Sequence, residues 1–139
     1  MNVNLENTKA QMRKGVLELC ILAIIAEKEA YPSDILEKLK SSELIVVEGT
    51  LYPLLTRLKD AGLLEYRWVE SEKGPPRKYY QLTDAGRSSL LELHKGWLEL
   101  VKCVETVVGK AEKVESEKVE SAHIILNNEQ EILENEKID

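Results

Sequence analysis

A mainly α-helical fold carrying one small β-hairpin is the class this sequence predicts, and three observations predict it. Apolar residues recur at helical spacing in three short segments between Lys14 and Leu58. Two runs of alternating polarity, 63–70 and 77–82, flank the turn-forming stretch 71–76. A long amphipathic segment then runs from Asp84 to about Val108.

In chain order, Leu5 to Met12 either extends the first helix or forms an arm. From Lys14 to Glu27, Leu17, Cys20, Ile21, Ile24 and Ile25 give the spacing of a buried helix. Tyr31-Pro-Ser-Asp34 is a turn and helix start, with Ser33 as cap and Asp34 complementing the positive end of the helix dipole. Ile35, Leu36 and Leu39 form the inner face of a second helix ending near Ser41. Leu44-Ile-Val-Val47 is β-prone and suits a short strand. A third helix places Leu51, Leu54, Leu55 and Leu58 on one stripe and stops at Gly62. Pro53 lacks an N–H and suits an opening turn, which sets the start near Gly49 or Thr50. In the first strand Leu64, Tyr66 and Trp68 alternate against Glu65, Arg67 and Val69, and in the second Tyr79 and Tyr80 point to opposite faces. Thr83 caps the last helix.

That last helix carries Leu90, His94, Trp97, Val101, Val104 and Val108 at alternating spacings of four and three, a heptad seam. So much apolar surface on one terminal helix calls for a partner, and the simplest is a second copy. Trp97 follows Gly96 and reads as a packed interface aromatic. His94 on the same seam reads more readily as an interface residue than as a pH sensor. The chain therefore divides into residues 1–82, a helix and hairpin domain with an N-terminal arm; 83–109, a dimerisation helix; and 110–139, an acidic flexible tail.

Composition removes several function classes. No run approaches the ~20 uninterrupted apolar residues that span a bilayer, and nothing at Met1-Asn-Val-Asn resembles a signal peptide, so the expected compartment is the cytoplasm with no membrane partner. Two Cys and two His without ligand spacing exclude a metal site, and no cofactor is expected. Ser88-Ser89 has no neighbouring base and no glycine loop cradles phosphate, so there are no catalytic residues and no enzyme is expected. The formal charge of −6 opposes nucleic-acid binding until it is located. Residues 110–139 hold four lysines against nine acidic residues, leaving a net of −1 for the rest. Exposed charges beyond a Debye length of roughly 8 Å are largely screened. A basic surface around Arg57, Lys59, Arg77 and Lys78 can still face phosphates.

A recognition-sized helix followed by a basic-tipped hairpin is the layout of a winged helix-turn-helix, so double-stranded DNA is the first partner to consider. The third helix would enter the major groove with Thr50, Tyr52 and Thr56 donating to phosphates or base edges and Arg57 and Lys59 adding charge. Ser33 at the start of the second helix joins this set. In the hairpin, Arg77 and Lys78 would grip phosphates; Lys73 reads equally as a solvated tip. The competing reading is a winged-helix module that binds protein through the same surface.

Three motifs carry a resemblance: Lys14-Gly-Val-Leu-Glu-Leu-Cys-Ile-Leu22, Glu48-Gly-Thr-Leu-Tyr-Pro-Leu-Leu-Thr-Arg-Leu58 and Pro76-Arg-Lys-Tyr-Tyr-Gln-Leu-Thr-Asp-Ala-Gly86. Over residues 12–108 the chain resembles the PadR family of bacterial transcriptional regulators, in its short form with one C-terminal dimerisation helix. The resemblance implies a homodimeric repressor at an inverted-repeat operator, gated in some members by a flat apolar ligand stacked on a tryptophan at the place of Trp97. Many members carry Tyr-Gly-Tyr-Glu-Ile where this chain has Tyr31-Pro-Ser-Asp-Ile35, so a contact made by the missing aromatic does not carry over. The acidic tail has no counterpart in that pattern.

Overall fold

The computed structural model describes residues 4–44 and 46–137. Its elements run α1 (Leu5–Lys14), α2 (Leu17–Glu27), α3 (Pro32–Ser41), α4 (Glu48–Asp60), β1 (Leu64–Ser71), β2 (Gly74–Leu82) and α5 (Asp84–Glu136). The mainly helical class with one antiparallel hairpin matches the sequence expectation. Two units are distinguished, Met1–Trp97 and Leu98–Asp139.

α1 is a separate helix, capped by Asn4, whose side chain accepts from the Asn7 N–H at 3.1 Å. It ends at Gly15 and buries none of its residues. α2 is almost wholly apolar, and Leu17, Ile21, Leu22 and Ile25 are buried. α3 begins at Pro32, whose fixed φ is pre-set for a first helical position. This corrects the expected cap: Tyr31 flanks the helix, its N–H donating to the Asp34 carboxylate at 3.1 Å, and Ser33 lies inside the first turn, exposed.

Two helices stop by the same hydrogen-bond pattern with different residues. After α4, Gly62 adopts φ 79 and the Leu63 N–H reaches back to the Leu58 carbonyl at 2.9 Å. After α3, Glu43 takes φ 63 while the Leu44 N–H donates to Leu39 at 2.8 Å. The glycine stop was legible; the glutamate one was not, because a side chain resists this region. The expected strand at 44–47 is absent as far as described: Leu44, Val46 and Val47 form a loop, and Ile45 lies outside the described residues. Among the described residues, the two hairpin strands offer no third sheet position to it beyond an isolated bridge at Ala30.

α4 starts at Glu48, which puts Pro53 in the second turn rather than the first, a correction to the expected start. The missing N–H leaves the Gly49 carbonyl without a helical donor, and both residues are exposed, so water can take that place. The hairpin is tighter than the expected six-residue turn, which shrinks to Glu72 and Lys73. Pro75 and Pro76 belong to β2, where they form two residues against one between the Val69–Arg77 and Ser71–Gly74 pairs. This bulge suits residues that cannot donate to the ladder.

The core gathers Ile21, Leu22 and Ile25 of α2, Ile35 and Leu39 of α3, Leu51, Leu55 and Leu58 of α4, and Leu64, Tyr80 and Leu82 of the hairpin. Tyr80 exchanges backbone hydrogen bonds with Ala30, tying β2 to the loop before α3. Thr83 caps α5 as expected: its hydroxyl accepts from the Gly86 N–H at 3.0 Å and donates to the Gly62 carbonyl at 2.6 Å. Gly86 is buried against the Leu63 carbonyl, whose oxygen occupies the space a Cβ would need.

α5 does not stop near Val108. It continues through Gly109 and the charged stretch to Glu136, against the expectation of a flexible tail. Glu and Lys are good helix formers, and pairs such as Lys118–Glu115, 3.4 Å apart, add local support.

Two substitutions should move stability in opposite directions under denaturant titration. Gly86→Ala should cost about 1–3 kcal/mol, because the methyl group can be seated only by shifting backbone. Glu43→Gly should gain about 1 kcal/mol by releasing the left-handed strain.

Candidate nucleic-acid interface

Burying Leu51, Leu55 and Leu58 leaves the opposite face of α4 in solvent, and Tyr52, Thr56, Arg57 and Lys59 are all exposed there. The hairpin rises beside this face. Between them lies a groove of about 440 Å³ that brings together Ser33 from α3, Tyr52 and Thr56 from α4, and Arg77 and Lys78 from β2. Five residues chosen from sequence thus converge from three elements.

The remaining candidates do not line that groove. Thr50 is half-buried in the first turn of α4, its N–H bonded to the Val47 carbonyl. Arg57 turns to Glu18 of α2, Nη2 to Oε1 2.6 Å. That approach is off the donor axis, so it is a charge contact, and Oε1 keeps no aligned hydrogen bond. Lys59 lies 5.6 Å from the Tyr66 ring and 3.9 Å from Asp60. Lys73 is exposed at the hairpin tip.

The groove's cations are held by rings rather than by carboxylates. Lys78 Nζ sits 4.6 Å from the Tyr66 ring centre and 5.5 Å from that of Trp68. The Arg77 guanidinium lies 5.6 Å from the Tyr31 ring. Among the described residues, no carboxylate lies within 4.0 Å of Arg77, Lys78 or Lys73. A ring face positions a cation while leaving its charge uncompensated, available to an anion. Below the hairpin, Tyr80 is 4 % exposed and Tyr79 packs on Tyr31 with ring centres 4.6 Å apart, which assigns the two tyrosines to their faces.

Sequence reasoning did not choose the other lining residues, Tyr31, Pro32, Trp68, Pro76 and Tyr80. Trp68 shares the alternation of Leu64 and Tyr66 and so read as inward; the hairpin overhangs the core, and its indole is 61 % exposed.

On α5, Leu90 packs partly on the chain's own core, so that expected interface position is already used in part. His94 and Trp97 are exposed in the first unit. In the second, Val101 is half-buried while Val104 and Val108 are exposed. Among the described residues, no His, Cys, Asp and Glu cluster could hold a metal, and no helix is long and apolar enough to cross a membrane.

Comparison with known proteins places this geometry. Residues 21–92 match the model of the transcriptional regulator PadR-like family. The transcriptional regulator Rv3488 of Mycobacterium tuberculosis is 34 % identical over 94 residues, 66 % of this chain and 85 % of that protein. A PadR-like transcription factor structure from Bacteroides fragilis shares 59 % identity with a TM-score of 0.63, over 73 % of this chain and 98 % of that one. Bacillus subtilis PadR, solved in complex with operator DNA, shares 27 % identity with a TM-score of 0.53, over 56 % of this chain and 46 % of that one.

The buried phenol of Tyr80 offers a check on the packing beneath the groove. Burial raises its pKa above the ordinary value of 10.0, and charge on Tyr66 and Tyr52 raises it further. The fold favours the neutral form, so this contribution to stability is complete below pH 10 and is lost as pH climbs through the folded-state pKa. In an ultraviolet titration one phenol should ionise above the ordinary value of 10.0, and Tyr80→Phe should remove that step.

Proposed function

The chain belongs to the transcriptional regulator PadR-like family, whose members are regulators of transcription and not enzymes, and from that premise we propose that it binds double-stranded DNA sequence-specifically as a homodimer and represses from an inverted repeat. One observation carries the proposal: the exposed face of α4 and two uncompensated cations of β2 share a groove, with Tyr52 and Thr56 on one wall and Arg77 and Lys78 on the other. α4 supplies hydroxyls for the major groove, where base edges are distinguishable. Arg77 and Lys78 supply phosphate contacts, which fix position and make binding salt-dependent. That the Bacillus subtilis relative was solved with operator DNA supports the choice of partner.

Dimerisation is assigned to the exposed apolar stripe of α5. Two copies would present their α4 helices to successive major grooves about 34 Å apart. Trp97, 40 % exposed, offers a flat face for an apolar effector that alters this spacing. Quenching of its fluorescence by flat aromatic compounds should then be coupled to duplex affinity.

Selection of bound duplexes from genomic DNA, followed by gel shift over a salt series, tests the reading. Arg77→Ala with Lys78→Ala should weaken binding to all sequences and reduce the slope of log K against log salt by about two. Absence of salt-sensitive binding to any duplex, together with a nuclease-resistant protein partner, would establish the protein-binding alternative instead.

A further inference from the structure

Three aromatic side chains are prominently exposed among the described residues: Tyr52, Trp68 and Trp97. Two of them, Tyr52 and Trp68, line the same groove as Arg77 and Lys78. Trp68 pairs across the hairpin with Lys78, and the two side chains lie on the strand face that continues from Tyr66 and Tyr80. Tyr66 meets the indole edge-on with ring centres 5.9 Å apart, which fixes its orientation from one side. Lys78 Nζ stands 5.5 Å from the indole centre. The rest of the ring is open to solvent, an arrangement that a role in packing alone does not require.

An indole beside an uncompensated ammonium matches the two surfaces that alternate along a DNA backbone, the apolar face of a sugar and the phosphate next to it. We propose that Trp68 contacts the duplex directly, packing its indole against a deoxyribose beside the phosphate held by Lys78. The inference rests on the duplex-binding reading above and adds an apolar contact to it. Such a contact displaces no counterions, so its contribution is independent of salt, unlike that of Lys78.

Salt titration with one selected duplex separates the possibilities. Trp68→Ala should lower affinity roughly tenfold, within the range seen when aromatic platforms for nucleic acids are truncated. Its slope of log K against log salt should equal that of the unmodified protein, and Trp68→Phe should recover most of the loss. Lys78→Ala should instead reduce the slope by about 0.9. Saturating duplex should change the indole emission of the unmodified protein, and the part of that change due to Trp68 should be absent in Trp68→Phe. Unchanged affinity in Trp68→Ala, or a slope reduced as in Lys78→Ala, overturns the inference while leaving duplex binding in place; the latter would reduce Trp68 to a support for Lys78. If the unmodified protein binds no duplex, the underlying reading falls and this one with it.

Discussion

The burial of three leucines decides what α4 can present. Leu51, Leu55 and Leu58 are sealed against α2, α3 and the hairpin. Each is worth about 1.5–3 kcal/mol relative to exposure. Turning the helix by one residue, roughly 100°, would bring that stripe out and carry Tyr52 and Thr56 inward. Several kcal/mol therefore hold the outer face in one orientation. The same core holds the hairpin, since Leu64, Tyr80 and Leu82 belong to it, so the spacing between α4 and the cations of β2 is set by packing rather than by contacts within the groove.

The charge distribution follows a similar division of labour. Acidic residues concentrate beyond residue 110, while the groove's two cations meet aromatic faces. A carboxylate partner would compensate the charge that a phosphate is to meet. Arg57 shows the contrast: its charge is directed to Glu18, and it stands outside the groove. An acidic protein can thus carry a local anion-binding surface, because screening confines the influence of any exposed charge to about a Debye length.

Much of this was legible in the sequence because helical and strand periodicities are strong where one face is buried. The leucine stripe of α4, the stop at Gly62, the cap at Thr83 and the opposed faces of Tyr79 and Tyr80 all follow from local rules that the tertiary packing respects. What escaped depended on context. Pro32 rather than Ser33 sets the start of α3, and Pro53 sits a turn deeper than its missing N–H suggests, because the exposed carbonyl it frees costs little. Glu43 occupies a left-handed position that composition does not advertise. Trp68 obeys the alternation of its strand yet lies in solvent, since alternation reports a face and not how far the core extends beneath it. The continuation of α5 was hidden by Gly109, a residue that normally argues for a boundary.

The central claim is that the outer face of α4 and the adjoining hairpin together form the surface a duplex occupies. Oxidative footprinting of the Tyr52 side chain with and without saturating operator duplex tests it most directly. Protection of Tyr52, with Val119 and Ile132 of α5 labelled equally in both states, is the result this account predicts. Undiminished labelling of Tyr52 in a demonstrably formed complex would contradict it.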